Sequence, residues 1–169
     1  YTKNFINNSL FDEIVIIDIS KNKNNRKKFY EVVKKFAENC FVPITVGGGI
    51  RTTDNIQTAL NSGADKVAIN TQAVKDPKFI QRAAEIFGSQ CIVSSVEAKR
   101  VANQKWEVFI DNGREPTGID VIAWVKKLET LGAGEIMVTS IDSEGVKKGF
   151  DMELNIAVSK SVSIPLIAC

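Results

Sequence analysis

Two short stretches hold the residues best suited to chemistry. Val46–Ile50, VGGGI, places three glycines at the end of an apolar run, and Ala68–Thr71, AINT, ends a second run on an amide and a hydroxyl. A glycine turn bares backbone N–H groups and, lacking side chains, lets an anion come close. With Asn70 and Thr71 on a neighbouring strand, Gly48 and Gly49 read as a phosphate cradle. The plainer alternative is a tight turn that needs only positive φ. Further along, Glu97 is followed by Lys99 and Arg100. A carboxylate in a semi-enclosed mouth can act as a general acid or base. The chain contains no histidine, which excludes an imidazole base, a Ser-His-Asp triad and His-rich metal sites. Acid–base work falls to carboxylates, lysine or cysteine.

Composition narrows the class. The chain has 169 residues, 44% of them hydrophobic, enough for one domain with a real core. A net charge of +2 does not advertise nucleic acid or a membrane surface as a partner. No apolar run approaches the roughly 18 residues of a membrane span, and no signal peptide opens the sequence. Cys40, Cys91 and Cys169 show no CxxC spacing, so free thiols in a reducing cytoplasm are expected.

These residues need a scaffold, and the apolar pattern supplies one. Short β-branched runs predict strands near Glu13–Asp18, Pro43–Val46, Asp65–Asn70, Cys91–Val96, Glu135–Thr139 and Ile164–Ala168. Between them, helices are expected near Asn25–Glu38, Asp54–Asn61, Lys78–Phe87, Val121–Leu131 and Met152–Ser161. Asp76-Pro77, Asp120 and Asp151 supply start signals, while Gly63, Gly88 and Gly132 supply stops. Trp106–Ile110 alternates and predicts a hairpin turned by Asn112-Gly113.

Strict β-α alternation leaves a doubly wound sheet or a (β/α)8 TIM barrel. An internal repeat favours the barrel. DEIVIID and GEIMVTS each open a strand with a glutamate, Glu13 and Glu135, and in each case a proline opens the next strand 30 residues later (43 − 13 and 165 − 135). A duplicated β-α-β unit suits a barrel made of two similar halves. Six strands are visible where a closed barrel needs eight. Residues 1–169 are therefore expected to form a single (β/α)8-barrel domain, truncated at both ends.

In such a barrel the reactive face lies at the C-terminal strand ends. Asp18, Gly48, Gly49, Asn70, Thr71, Glu97, Thr139, Ser140 and Asp142 fall there. Strand alternation then points Lys66, Ala68 and Asn70 inward, together with Glu13, Val15 and Ile17 and with Glu135, Met137 and Thr139. Glu13, Lys66 and Glu135 would meet in one charged layer at the bottom of the bore, with a further cation expected from a strand outside the segment. The alternative is three solvated charges at strand starts.

Several ordered motifs carry a family resemblance: VPITVGGGI, GADKVAINT, FGSQCIVSSVEAKR, GAGEIMVTSIDSEGVKKGFD and IPLIAC. The chain resembles, over essentially its whole length, the cyclase subunit of imidazole glycerol phosphate synthase, of histidine biosynthesis. The resemblance implies a two-fold-repeated (β/α)8 barrel, a lyase that binds a substrate with two phosphates and needs no cofactor and no metal. It implies a heterodimer with a glutaminase subunit docked at the N-terminal face of the barrel, which supplies ammonia. Ammonia adds to the ribulosyl end of the substrate, and cleavage with ring closure gives imidazole glycerol phosphate and an aminoimidazole carboxamide ribotide. Gly48, Gly49, Asn70 and Thr71 would hold one phosphate and Gly145 the other. Glu13, Lys66 and Glu135 match three members of the family's ammonia gate.

Two positions depart from the family pattern. Its second catalytic aspartate falls at Glu97, and an acidic position near the second phosphate, usually Asp-Gly-Thr, reads Glu144-Gly145-Val146. An extra methylene moves a carboxyl group by more than an ångström, which matters to a proton transfer tuned to reach. Two other readings stay open: a paralogous ammonia-dependent component of surface-polysaccharide sugar synthesis, and a non-catalytic docking scaffold for the glutaminase.

Overall fold

The computed structural model describes residues 11–20, 26–147 and 149–169. Elements appear in the order β1 (Ile14–Ile17), α1 (Arg26–Ala37), β2 (Ile44–Gly47), α2 (Thr53–Asn61), β3 (Lys66–Ile69), α3 (Thr71–Lys75), α4 (Lys78–Phe87), β4 (Ile92–Ala102), β5 (Lys105–Ile110), β6 (Glu115–Asp120), α5 (Val121–Thr130), β7 (Glu135–Ser140), α6 (Met152–Ser159) and β8 (Leu166–Ala168). Six of these strands, β1 to β4 with β7 and β8, follow the expected β-α alternation of a TIM-type α/β fold. Asn25, expected to open the first helix, lies outside the described residues. No helix among the described residues is long and apolar enough to cross a membrane.

The chain forms two compact units, one ending at Val67 and one spanning Ala68–Cys169. In the first, β1 and β2 run parallel, with Ile14 opposite Ile44 and Ile17 opposite Gly47. The start of β3 is fixed to β2 by Asp65: its N–H donates to the Ile44 carbonyl at 2.8 Å, and its carboxylate accepts from the Ile44 N–H at 2.8 Å. Val33, Ile44, Val46, Ile56, Ala59 and Val67 are buried. The α2 helix starts where Thr52 leaves extended backbone and its hydroxyl accepts from the Asn55 N–H.

The second unit is organised on β4. Along one edge it pairs in parallel with β7, from Val93 opposite Glu135 to Ala98 opposite Ser140. Beyond that β4 continues to Ala102, and its outer half pairs antiparallel with β5, which in turn pairs antiparallel with β6. The strand expected over Cys91–Val96 is therefore 11 residues long, and Glu97 lies inside it rather than at its end. The expected hairpin is a three-stranded extension. Pro116 and Gly118 made the third strand hard to foresee, since both weaken a ladder; β6 tolerates them at an edge, where Pro116 has no N–H to leave unpaired.

A clamp anchors this extension. The Arg100 guanidinium stacks 4.8 Å over the Trp106 ring and bonds to Asp151 at 3.1 Å and Glu153 at 2.8 Å. Asp151 also caps α6, accepting from the Leu154 N–H at 3.0 Å, and it takes the Trp106 indole N–H at 3.4 Å. Asp120 caps α5 in the same way. Asp76 does not cap α4: its carboxylate pairs with Arg82, and the Phe79 N–H turns to the Asp76 carbonyl instead.

Candidate active site

In the first unit, Gly48 and Gly49 follow β2 with φ of 93° and 64°, a region that L side chains rarely adopt. Packing explains the bareness of each differently. A Cβ on Gly48 would fall 2.2 Å from the Asp18 carbonyl oxygen, so the turn lies directly on the end of β1. A Cβ on Gly49 would fall where the Arg26 guanidinium already sits. Asp18 uses its own carboxylate locally, accepting from the Ser20 N–H at 2.8 Å.

At the opposite strand ends of this unit, Glu13 and Lys66 form an ion pair at 3.0 Å, largely withdrawn from solvent. The two residues lie 53 positions apart, and the inward alternation of β1 and β3 is what lets them meet. The second oxygen of Glu13 accepts a 2.6 Å hydrogen bond from Thr45, which is fully buried. Thr45 was not foreseen as part of this cluster. Its signal was a lone hydroxyl inside the apolar strand VPITV.

In the second unit, Asn70 precedes the short helix α3 and Thr71 begins it. The Asn70 Oδ1 is buried and has no hydrogen-bond partner among the described residues, and the same holds for Ser140 Oγ at the end of β7. Ser94 Oγ and Asn155 Oδ1 share that condition away from the strand ends. An orphaned buried polar atom costs about 1–3 kcal/mol, so Asn70 and Ser140 are positions where a ligand or a water gains by supplying the missing partner.

The turn between β5 and β6 brings the rest together. Asp111, Asn112 and Gly113 adopt φ of 54°, 58° and 72° in succession, a left-handed curl that ends β5. The Gly113 N–H donates to a Glu97 carboxylate oxygen at 3.0 Å, and the Asp111 N–H donates to the Thr71 hydroxyl at 3.3 Å. The space beside Gly113 is closed by Ile141, whose Cδ1 would stand 3.2 Å from an added Cβ. Glu97 is half-buried and opposite Thr139 in the β4–β7 register, so both side chains leave the same face of the sheet.

Asp142 is committed to the scaffold: its carboxylate accepts from the Arg100 N–H at 2.8 Å and holds the outer half of β4. Glu144 and Gly145 are exposed on the following loop, and Gly145, at φ 70°, has open space where a Cβ would stand. Partial desolvation of the Cys169 thiol, followed by the nearby charge of Glu144, raises its pKa, and a hydrogen bond with Thr139 partly offsets this. Thr139, Glu144 and Cys169 are thus neighbours. Glu135 begins β7, half-buried and in register with Val93.

Comparison with known proteins places this architecture. A family model described as "Histidine biosynthesis protein" matches residues 2–169. Over 157 residues, 93% of this chain, the sequence is 55% identical to the "Imidazole glycerol phosphate synthase subunit HisF" of Legionella pneumophila, covering 74% of that protein. Over the same length it is 50% identical to the proteins of that name from Bacillus cereus (strain Q1) and Endomicrobium trichonymphae, of which it covers 62% and 60%. The chain therefore spans about three-fifths of the length of these two relatives.

Proposed function

The chain belongs to the histidine biosynthesis protein family, and on that premise we propose that it works as the cyclase subunit of imidazole glycerol phosphate synthase. It takes ammonia from a glutaminase partner and converts a bis-phosphorylated ribulosyl aminoimidazole substrate into imidazole glycerol phosphate and aminoimidazole carboxamide ribotide. The observation that carries the chemistry is Glu97, a half-buried carboxylate with one oxygen held by the Gly113 N–H and the other free of that bond. A carboxylate fixed in this way moves a proton without first having to find its orientation.

The substrate's phosphates would be held by neutral donors at the strand ends. Thr71 accepts from Asp111, which leaves its own hydroxyl proton available for a phosphate oxygen. Asn70 is the donor beside Thr71 in the second unit, Gly48 and Gly49 are the phosphate donors proposed for the first, and the open side of Gly145 suits the second phosphate. The Glu13–Lys66 pair is the gate element of the first unit and Glu135 that of the second, both at strand starts, where the partner would dock. Three free cysteines suit work in the cytoplasm.

The test is direct. The protein, given the ribulosyl substrate and an ammonium salt, should release imidazole glycerol phosphate, followed by chromatography. Substrate that binds but is never converted, at saturating ammonia, would refute the cyclase reading. The glutamates at 97 and 144 support a second reading, an ammonia-dependent step on a surface-sugar precursor. Under it, Glu97→Asp would raise turnover of the histidine-pathway substrate rather than lower it.

A further inference from the structure

Arg26 is a half-buried cation at the glycine turn that the reading above leaves without a role. Its guanidinium occupies the space where Gly49 would carry a Cβ. The group is aimed, not loose: its Nη1 donates to Asn55 Oδ1 at 3.3 Å, and the same oxygen accepts from the Arg51 N–H at 3.2 Å. Asn55 thereby ties the start of α1 to the loop that follows the glycines. Among the described residues Arg26 makes no ion pair, and Asp18, the acidic residue at the adjoining strand end, spends its Oδ1 on Ser20. The N–H groups of Gly48 and Gly49 also meet no protein acceptor among the described residues.

A guanidinium that is partly withdrawn from water, with no carboxylate of the described residues at ion-pair distance, gains from an arriving anion. Arginine's planar fork matches a phosphate oxygen pair, and the unspent N–H groups of a bare backbone add further donors on an adjoining surface. We propose that Arg26 is a phosphate-binding residue of the glycine turn, adding a positive charge to the bare N–H groups of Gly48 and Gly49. Its ligand is a phosphate monoester dianion. The inference rests on the phosphate reading of Gly48 and Gly49. It gives Gly49 a second reason to lack a side chain, because any Cβ would push the guanidinium away.

Inorganic phosphate is the probe, titrated by calorimetry into the wild-type protein and into Arg26→Gln and Arg26→Lys. Loss of one charge-assisted hydrogen-bonding group is expected to weaken one class of phosphate site at least about tenfold in Arg26→Gln. Arg26→Lys should restore part of that affinity, since it returns the charge without the fork. A structural role would instead lower the melting temperature and leave phosphate affinity alone. Unchanged affinity in Arg26→Gln, with phosphate bound by the wild type, overturns the Arg26 assignment while the phosphate reading of the glycine turn stands. A wild-type protein that binds no phosphate overturns both.

Discussion

The Gly113 N–H donates to the Glu97 carboxylate at 3.0 Å, so β4 carries the proposed reactive group and the β5–β6 turn fixes that group's orientation. Glu97→Gln keeps the shape and an oxygen able to accept from Gly113, and it removes only the titratable proton. The expected result is a fall in kcat of about 100- to 10,000-fold, with KM changed by no more than a few-fold. The assay should use free ammonia, so that no partner enters the measurement. Equal losses in affinity and turnover would make Glu97 a binding residue.

Lys66 and Glu13 stand at strand starts, at the opposite end of β1 and β2 from the glycine turn. Lys66→Ala should spare the reaction driven by free ammonia and uncouple the reaction driven by glutamine in the complete complex. It also leaves Glu13 with only the Thr45 hydroxyl, at a cost of about 1–3 kcal/mol in urea unfolding. If both reactions fall by the same factor, the gate assignment is wrong.

The two glycine turns should respond differently to one methyl group. Gly48→Ala drives a Cβ into the Asp18 backbone, which cannot yield without disturbing the end of β1, so a loss of about 3 kcal/mol or more is expected. Gly145→Ala meets open space and bears only the cost of its positive φ, about 1–2 kcal/mol. Thermal unfolding of the two variants measures the contrast, and equal losses would mean that φ alone governs both.

Asp151 makes stability depend on acid. Burial opposes its charge, but the Leu154 N–H, the Arg100 guanidinium and the Trp106 indole N–H outweigh burial and leave its pKa lowered. A carboxylate lowered on folding contributes stability that is present above its unfolded pKa, near 4, and lost as pH falls through the folded value. Asp151→Asn should therefore destabilise the protein at pH 7 and flatten the decline in melting temperature below about pH 4. A decline identical to that of the wild type would assign the acid sensitivity to other groups.

Phe41 is fully exposed in the turn before β2, on the same strand-start side as Glu13 and Lys66. A large apolar ring left in water is a natural anchor for a docking partner. Phe41→Ser should leave the melting temperature of the isolated chain within a degree or two and weaken association with the glutaminase at least about tenfold. Unchanged affinity in a pull-down titration would place the docking contacts elsewhere.

Period alone made much of this architecture legible. Apolar runs with glycine and aspartate punctuation located the six alternating strands, and inward alternation was enough to bring Glu13 and Lys66 together across 53 positions. What escaped was settled by contacts that no local pattern encodes. The reach of β4 past Glu97 depends on Arg100 finding Trp106 and Asp151, and β6 carries a proline and a glycine that argue against a strand. Arg26 lies at the start of the expected first helix, and only packing brings its guanidinium over Gly49. Thr71 looked like a strand end, and only the fold shows that a distant turn has claimed one lone pair of its hydroxyl.

The turn at Asp111–Gly113 also has a kinetic meaning. Only 16 positions separate Glu97 from the N–H that holds it, and the intervening chain is a hairpin folded back on its own strand. Contacts this close in sequence need little loop closure, so they form early and re-form quickly after local opening. Orientation of the Glu97 carboxylate is thus a property of one contiguous segment, roughly Ile92 to Asp120, and does not have to await the rest of the chain. Such a segment can change as a block: a different turn on the same two strands would re-aim the carboxylate for another substrate and leave the rest of the fold untouched.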